Sequence, residues 1–183
     1  MTILGALMGF LLLSSGARAP LTNAPTAPLP SYSVTLTAYN AVPEQTDSNP
    51  FETASGAYSN PEIVAARSQD LADELPFGTI IELDGPATTQ GNCGYGVVAP
   101  VIGYRVIEDT MNARYTNRVD VLLPTKAKYA TTDKGMKNAA EILGICKGIT
   151  VRVVGYVDTN HIPKTQAELA VIVVGGSGLA LNK

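Results

Sequence analysis

Short stretches of alternating apolar and polar residues, separated by turn residues, organise most of this chain, and a period of two predicts β-strands. Residues 33–39, Ser-Val-Thr-Leu-Thr-Ala-Tyr, predict the first strand. Residues 63–66 and 79–83 predict two more, the second introduced by the turn Pro76-Phe77-Gly78-Thr79. Residues 97–102 read as a strand broken by Pro100, residues 148–157 as a long alternating strand, and residues 167–174 as a last strand. Helical character is confined to a turn at 70–74 and to residues 136–143, where Gly144 offers a stop. Polar loops fill 40–58, 88–96 and 158–165. Many short strands with little helix predict an all-β fold: a small barrel with short helices and long loops.

The most informative stretch is residues 104–123, which read as strand, polar turn, strand. Asp120 lies inside the second apolar run, between Val119 and Val121, and Asp109 lies at the end of the first. A carboxylate within a β-branched run is costly to bury unless it has partners or a task. The two fall at adjoining parts of consecutive strands, which makes them a candidate acid/base pair. The plainer alternative is a polar hairpin whose carboxylates serve its turn.

Ahead of the strands, residues 3–13 form an apolar run. It is short for a membrane span, which needs roughly 17–25 apolar residues. It suits the apolar part of a signal peptide, with Ala17-Arg18-Ala19 as a small-residue cleavage site, or a membrane anchor. Prolines 20, 25, 28 and 30 mark residues 20–31 as a linker. One domain follows over 32–157, and residues 158–183 form a C-terminal extension. This predicts an exported protein of the cell envelope or exterior, with membrane association through the N-terminal run as an option.

With 183 residues the chain supports a single core. A formal net charge of −3 argues against nucleic-acid binding. The two cysteines, Cys93 and Cys146, make either one disulfide or two free thiols. No Cys/His spacing suggests a metal site, no glycine pattern suggests a phosphate loop, and no cofactor is expected. The sole histidine, His161, falls in a polar loop and gives little basis for a triad.

Read in order, Thr37-Ala38-Tyr39, Thr53-Ala54-Ser55-Gly56, Ile63-Val64-Ala65-Ala66, Leu75-Pro76-Phe77-Gly78-Thr79, Val106 to Asn112 and Asn117-Arg118-Val119-Asp120-Val121 resemble the 3D domain. That family is named for three aspartates and is related to the catalytic domain of membrane-bound lytic transglycosylase A. The resemblance implies a six-stranded double-psi β-barrel that binds peptidoglycan glycan strands. It further implies cleavage of the MurNAc–GlcNAc bond to a 1,6-anhydro product, with one carboxyl as acid and then base. On this resemblance Asp120 is the catalytic acid and Asp109 its supporting carboxylate. Thr37, Tyr39, Thr53, Ser55, Asn112 and Arg118 line the groove. The family's first aspartate has no direct match, because Val64-Ala65-Ala66 runs into Arg67-Ser68-Gln69-Asp70. Asp70 is its displaced equivalent, or Ser68 stands in its place. Residues 88–101 look like an insertion. Barrels of this shape also bind polysaccharide without cleaving it, in the manner of barwin and expansin domains, or serve as scaffolds in virions or cell envelopes.

Overall fold

The structure, a computed structural model, describes residues 29–46, 49–131 and 135–175. The apolar run, its cleavage site, most of the linker and the tail beyond Gly175 lie outside the described residues. In chain order the strands are β1 (Ser31–Tyr39), β2 (Val64–Arg67), β3 (Thr79–Asp84), β4 (Arg105–Thr110), β5 (Arg118–Leu122), β6 (Lys128–Thr131), β7 (Gly135–Asn138) and β8 (Cys146–Tyr156). The helices are α1 (Tyr95–Ile102), α2 (Ala139–Leu143) and α3 (Gln166–Val174).

Six strands close a barrel in the ring order β1-β5-β2-β4-β3-β8, and β6 pairs with β7 apart from it. The expectation of an all-β barrel is met. The pairs β1/β5 and β2/β4 are parallel and the other four are antiparallel. Exchanging β1, β2 and β3 with β4, β5 and β8 leaves every pairing and its direction unchanged. This two-fold connectivity is what a double-psi barrel requires, although the sequence carries no visible repeat. Along the ring, strands of the first half alternate with strands of the second.

Alternation sends side chains to two core clusters on opposite faces of the sheet. One contains Leu36, Ala65, Ile107, Val119, Val121 and Val151; the other contains Tyr39, Val64, Ala66, Val106 and Leu122. Arg105 is fully buried at the start of β4. Its guanidinium donates to the carbonyls of Pro61, Val101, Ile102 and Leu122 at 2.6–3.0 Å. Burial pulls its pKa down to about 9, so it remains a cation at neutral pH. Two of its acceptors are the last carbonyls of α1, where a cation also complements the helix dipole.

Three local expectations are corrected. Residues 97–102 are not a strand but lie in α1. Tyr95, Val98 and Ile102 are its buried residues, at helical spacing, and this packing overrides the strand preference of its valines. Residues 167–174 are likewise helical, in α3. Thr165 caps α3 by accepting from the Glu168 amide, Glu168 reaches back to the Lys164 amide, and Gln166 bonds to Glu62 and Tyr104. In residues 136–143 only the last part is helical. Asn138 caps α2 and pairs with Lys128 at the end of β7, and Gly144 stops the helix at φ 62°, as expected.

The cysteines are joined, Cys93 to Cys146, with an S–S distance of 2.02 Å. The bond ties the segment between β3 and β4, the expected insertion, to the start of β8. Closing a loop of 53 residues removes denatured-state freedom worth about 4 kcal/mol in the chain-entropy account.

Candidate active site

The central stretch is not a hairpin. Strands β4 and β5 do not pair; β2 lies between them. Ala66 faces Asp120 on one side and Asp109 on the other, and Asp120 faces Thr37 beyond. Thr37, Asp120, Ala66 and Asp109 thus form one row across four strands. Two strand spacings put the aspartate backbones about 10 Å apart. Ala66, with its small side chain, is the residue between them in the row. The expected proximity of the two aspartates arises from this inserted strand, not from a turn.

Asp109 is tightly held. Its Oδ1 accepts from the Ala54 amide at 3.0 Å and its own neighbour's amide, Thr110, at 2.8 Å. Its Oδ2 accepts from the Tyr39 hydroxyl at 2.9 Å. Tyr39 reaches over the face from β1, and burial followed by the charge of Asp109 raises its phenol pKa. The turn Thr53-Ala54-Ser55-Gly56 closes over this side. Gly56 supplies φ 84°, the Thr53 and Ser55 hydroxyls lie 3.0 Å apart, and the Ser55 amide donates to the Glu108 carbonyl.

Asp120 is placed differently. Its side chain is half-buried, and Oδ1 is buried without a hydrogen-bond partner. Desolvation pushes its pKa up to about 6, Asp109 adds to this, and Thr37 and Arg118 oppose it. A carboxyl titrating there exchanges a proton near neutral pH, the property a general acid needs. Among the described residues, the buried side-chain nitrogen and oxygen atoms without a partner belong to Glu108, Arg118 and Asp120 alone. Buried polar atoms are nearly always bonded, so their concentration on β4 and β5 makes this region the candidate site.

Glu108 was not singled out as a site residue by the sequence. Ala65 pairs with Ile107 and Ala66 with Asp109, so Glu108 is the extra residue of a β-bulge. It is fully buried, and burial raises its pKa. Ser55 and the Gly78 amide lie near enough to temper that rise, yet neither meets hydrogen-bond geometry with its carboxylate. The available signal was a glutamate continuing the apolar run Val106-Ile107.

The remaining expected residues separate. Arg118 shares the face of Asp120, and its amide donates to the Ser68 hydroxyl. Ser68 is fully buried, whereas Asp70 is exposed and accepts from the Asn117 amide at 2.8 Å, supporting that residue at φ 48°. Asp70 therefore fastens the entry to β5 and does not join the row. Asn112 is exposed and its carboxamide oxygen accepts from the Arg114 amide, shaping the connection between β4 and β5. His161 contacts Asp158 in an exposed loop.

Two cavities open elsewhere. One, of about 350 Å³, lies between Asn92, Lys137 and Glu141; the other, of about 530 Å³, lies between Tyr95, Tyr104 and Ala170. Neither includes a residue of the carboxylate row. No protein-family model matches the chain, and no curated protein is significantly similar to it.

Proposed function

We propose that the protein is a peptidoglycan-cleaving lytic transglycosylase of the 3D-domain kind, acting on MurNAc–GlcNAc bonds. The observation that carries this reading is the half-buried Asp120, with an unpartnered Oδ1 and a pKa of about 6, set in a row with a second carboxylate. In this mechanism the protonated Asp120 gives its proton to the glycosidic oxygen as the bond to the muramyl C1 breaks. Positive charge develops on that sugar, and Asp109 stabilises it across the Ala66 gap. The muramyl 6-hydroxyl then attacks C1 while Asp120 takes its proton, closing the 1,6-anhydro ring and restoring the acid. Water is not consumed. Thr37 supplies a hydroxyl contact to the sugars, and Tyr39, buried with its hydroxyl on Asp109, holds that carboxylate in place. The Thr53–Ser55 turn serves mainly to hold Asp109.

The Cys93–Cys146 bond supports an exported setting, because disulfides persist in oxidising compartments. Among the described residues no helix is long and apolar enough to cross a membrane.

A second reading is a barrel that binds glycan without cleaving it. It is favoured by the full engagement of Asp109, which resembles a structural carboxylate. One experiment separates the two: digestion of purified peptidoglycan, with mass analysis of the products, beside Asp120→Asn. Anhydro-ended fragments that vanish in the variant are the expected result. Retention on the sacculi without products moves the protein to the binding class.

A further inference from the structure

Arg118 stands one residue pair along the face from Asp120, opposite Thr35. Its guanidinium carbon lies 4.7 Å from the centroid of the Tyr115 ring. The guanidinium carbon of Arg114 lies 4.8 Å from the same ring, and its Nη2 donates to the Tyr115 hydroxyl at 3.0 Å. Tyr115 packs against the cluster containing Tyr39 and Met111, and Arg118 shares the face of Asp120.

The other described arginines have acceptors. Arg67 and Arg105 donate to carbonyls, and Arg152 bonds Glu82 and Asp84. Among the described residues Arg114 has only the phenol for its guanidinium. That of Arg118 makes no hydrogen bond or salt bridge among the described residues, and its Nε is buried. A chain of net charge −3 thus keeps two unpaired cations at the edge of its candidate site. Guanidinium groups bind carboxylates in a two-pronged fashion, and stacking on an aromatic ring fixes the fork in advance.

We propose that Arg118 and Arg114, held on Tyr115, form a subsite for a carboxylate carried on the muramyl side of a glycan strand. The inference rests on the glycan reading above and adds which sugar is recognised and how. Muramyl residues carry a lactyl ether that ends in a carboxylate, either free or extended by a peptide with its own acidic groups. N-acetylglucosamine carries none. The subsite therefore sets the register of the strand over Asp120. Seating an anion on Arg118 also offsets the positive charge that favours the ionised form of Asp120.

The test is equilibrium binding by the full chain in an Asp120→Asn background, so that no ligand is consumed. Three glycans of equal length serve as probes: one with free lactyl carboxylates, one with intact peptides, and one whose lactyl carboxyls have been reduced to alcohols. The expected result is about tenfold tighter binding of a carboxylate-bearing glycan than of the reduced one. That preference collapses in Arg118→Gln and shrinks in the surface variant Arg114→Gln, with thermal melts checking the fold. A preference seen with peptides alone assigns the carboxylate to the stem and overturns the lactyl source. Equal binding of all three glycans, or a preference that survives both arginine variants, overturns the subsite while leaving the glycan reading in place. Binding of none of them sinks both.

Discussion

Strand β4 carries a buried charge near each end, and the two ends are treated in opposite ways. At its start, Arg105 is wholly enclosed and finds four backbone carbonyls. Near its finish, Glu108 is wholly enclosed and its carboxylate finds no partner, and on β5, beyond β2, Asp120 Oδ1 and Arg118 Nε are likewise buried without one. A satisfied buried ion is explained by the fold it fastens. An unsatisfied one costs stability, and the cost persists where something other than stability is selected. The contrast separates the satisfied end of β4 from the end where the candidate site lies.

The strongest way to break this comparison is at Asp120. Asp120→Asn should lower glycan cleavage by about 10²–10⁴-fold, the usual share of a general acid. Product analysis that finds undiminished anhydro ends removes Asp120 from that role. At the other end, Arg105→Met strands four carbonyls. We expect a loss of about 3 kcal/mol or more, read as a fall in the denaturant midpoint. An unchanged midpoint would mean that Arg105 fastens nothing.

Stability against pH sharpens the comparison further. The folded-state pKa of Asp120, about 6, lies above the ordinary aspartate value of 3.8. The folded state therefore holds the proton more strongly, and this group's contribution to stability falls as pH rises from about 4 through 6. Asp120→Asn should accordingly be more stable than the parent above pH 6, on the order of 1–3 kcal/mol, and should lose that advantage near pH 4. Glu108→Gln should act in the same direction, because the Glu108 pKa is also raised. Melting curves at pH 4 and 7.5 that show no crossing pattern contradict this. The smallest effect belongs to Tyr39→Phe, which removes one of three hydrogen bonds to Asp109. A cost of about 1 kcal/mol is expected, with the acidic limb of the activity profile unchanged; a large shift in that limb would place Tyr39 in the proton path.

Much of the barrel could be read from alternation, since β1, β2, β3, β5 and β8 fall where a period of two places them. Asp109 and Asp120 were visible for the same reason, as carboxylates in or beside apolar runs. Strand order was not visible. Nothing local to residues 104–123 indicates that β2, some forty residues earlier in the chain, will insert between its two strands. The errors at α1 and α3 have a different origin. Both segments are rich in β-branched residues, and their helical evidence was the spacing of Tyr95, Val98 and Ile102 and the cap formed by Thr165 and Glu168. Glu108 was passed over because a bulge, which buries it, leaves no mark in the alternation.

The ring in which each strand of the first half sits between two strands of the second has a kinetic consequence. No barrel ladder joins two strands of the same half, so neither half can gain barrel pairing before the other arrives. Every barrel ladder closes a long loop, which makes assembly of the barrel slow and all-or-none compared with a meander of hairpins. Thr37 and Ala66 come from the first half, Asp109 and Asp120 from the second. The row therefore comes into being only when the ring has closed, and a partly folded chain presents no partial site.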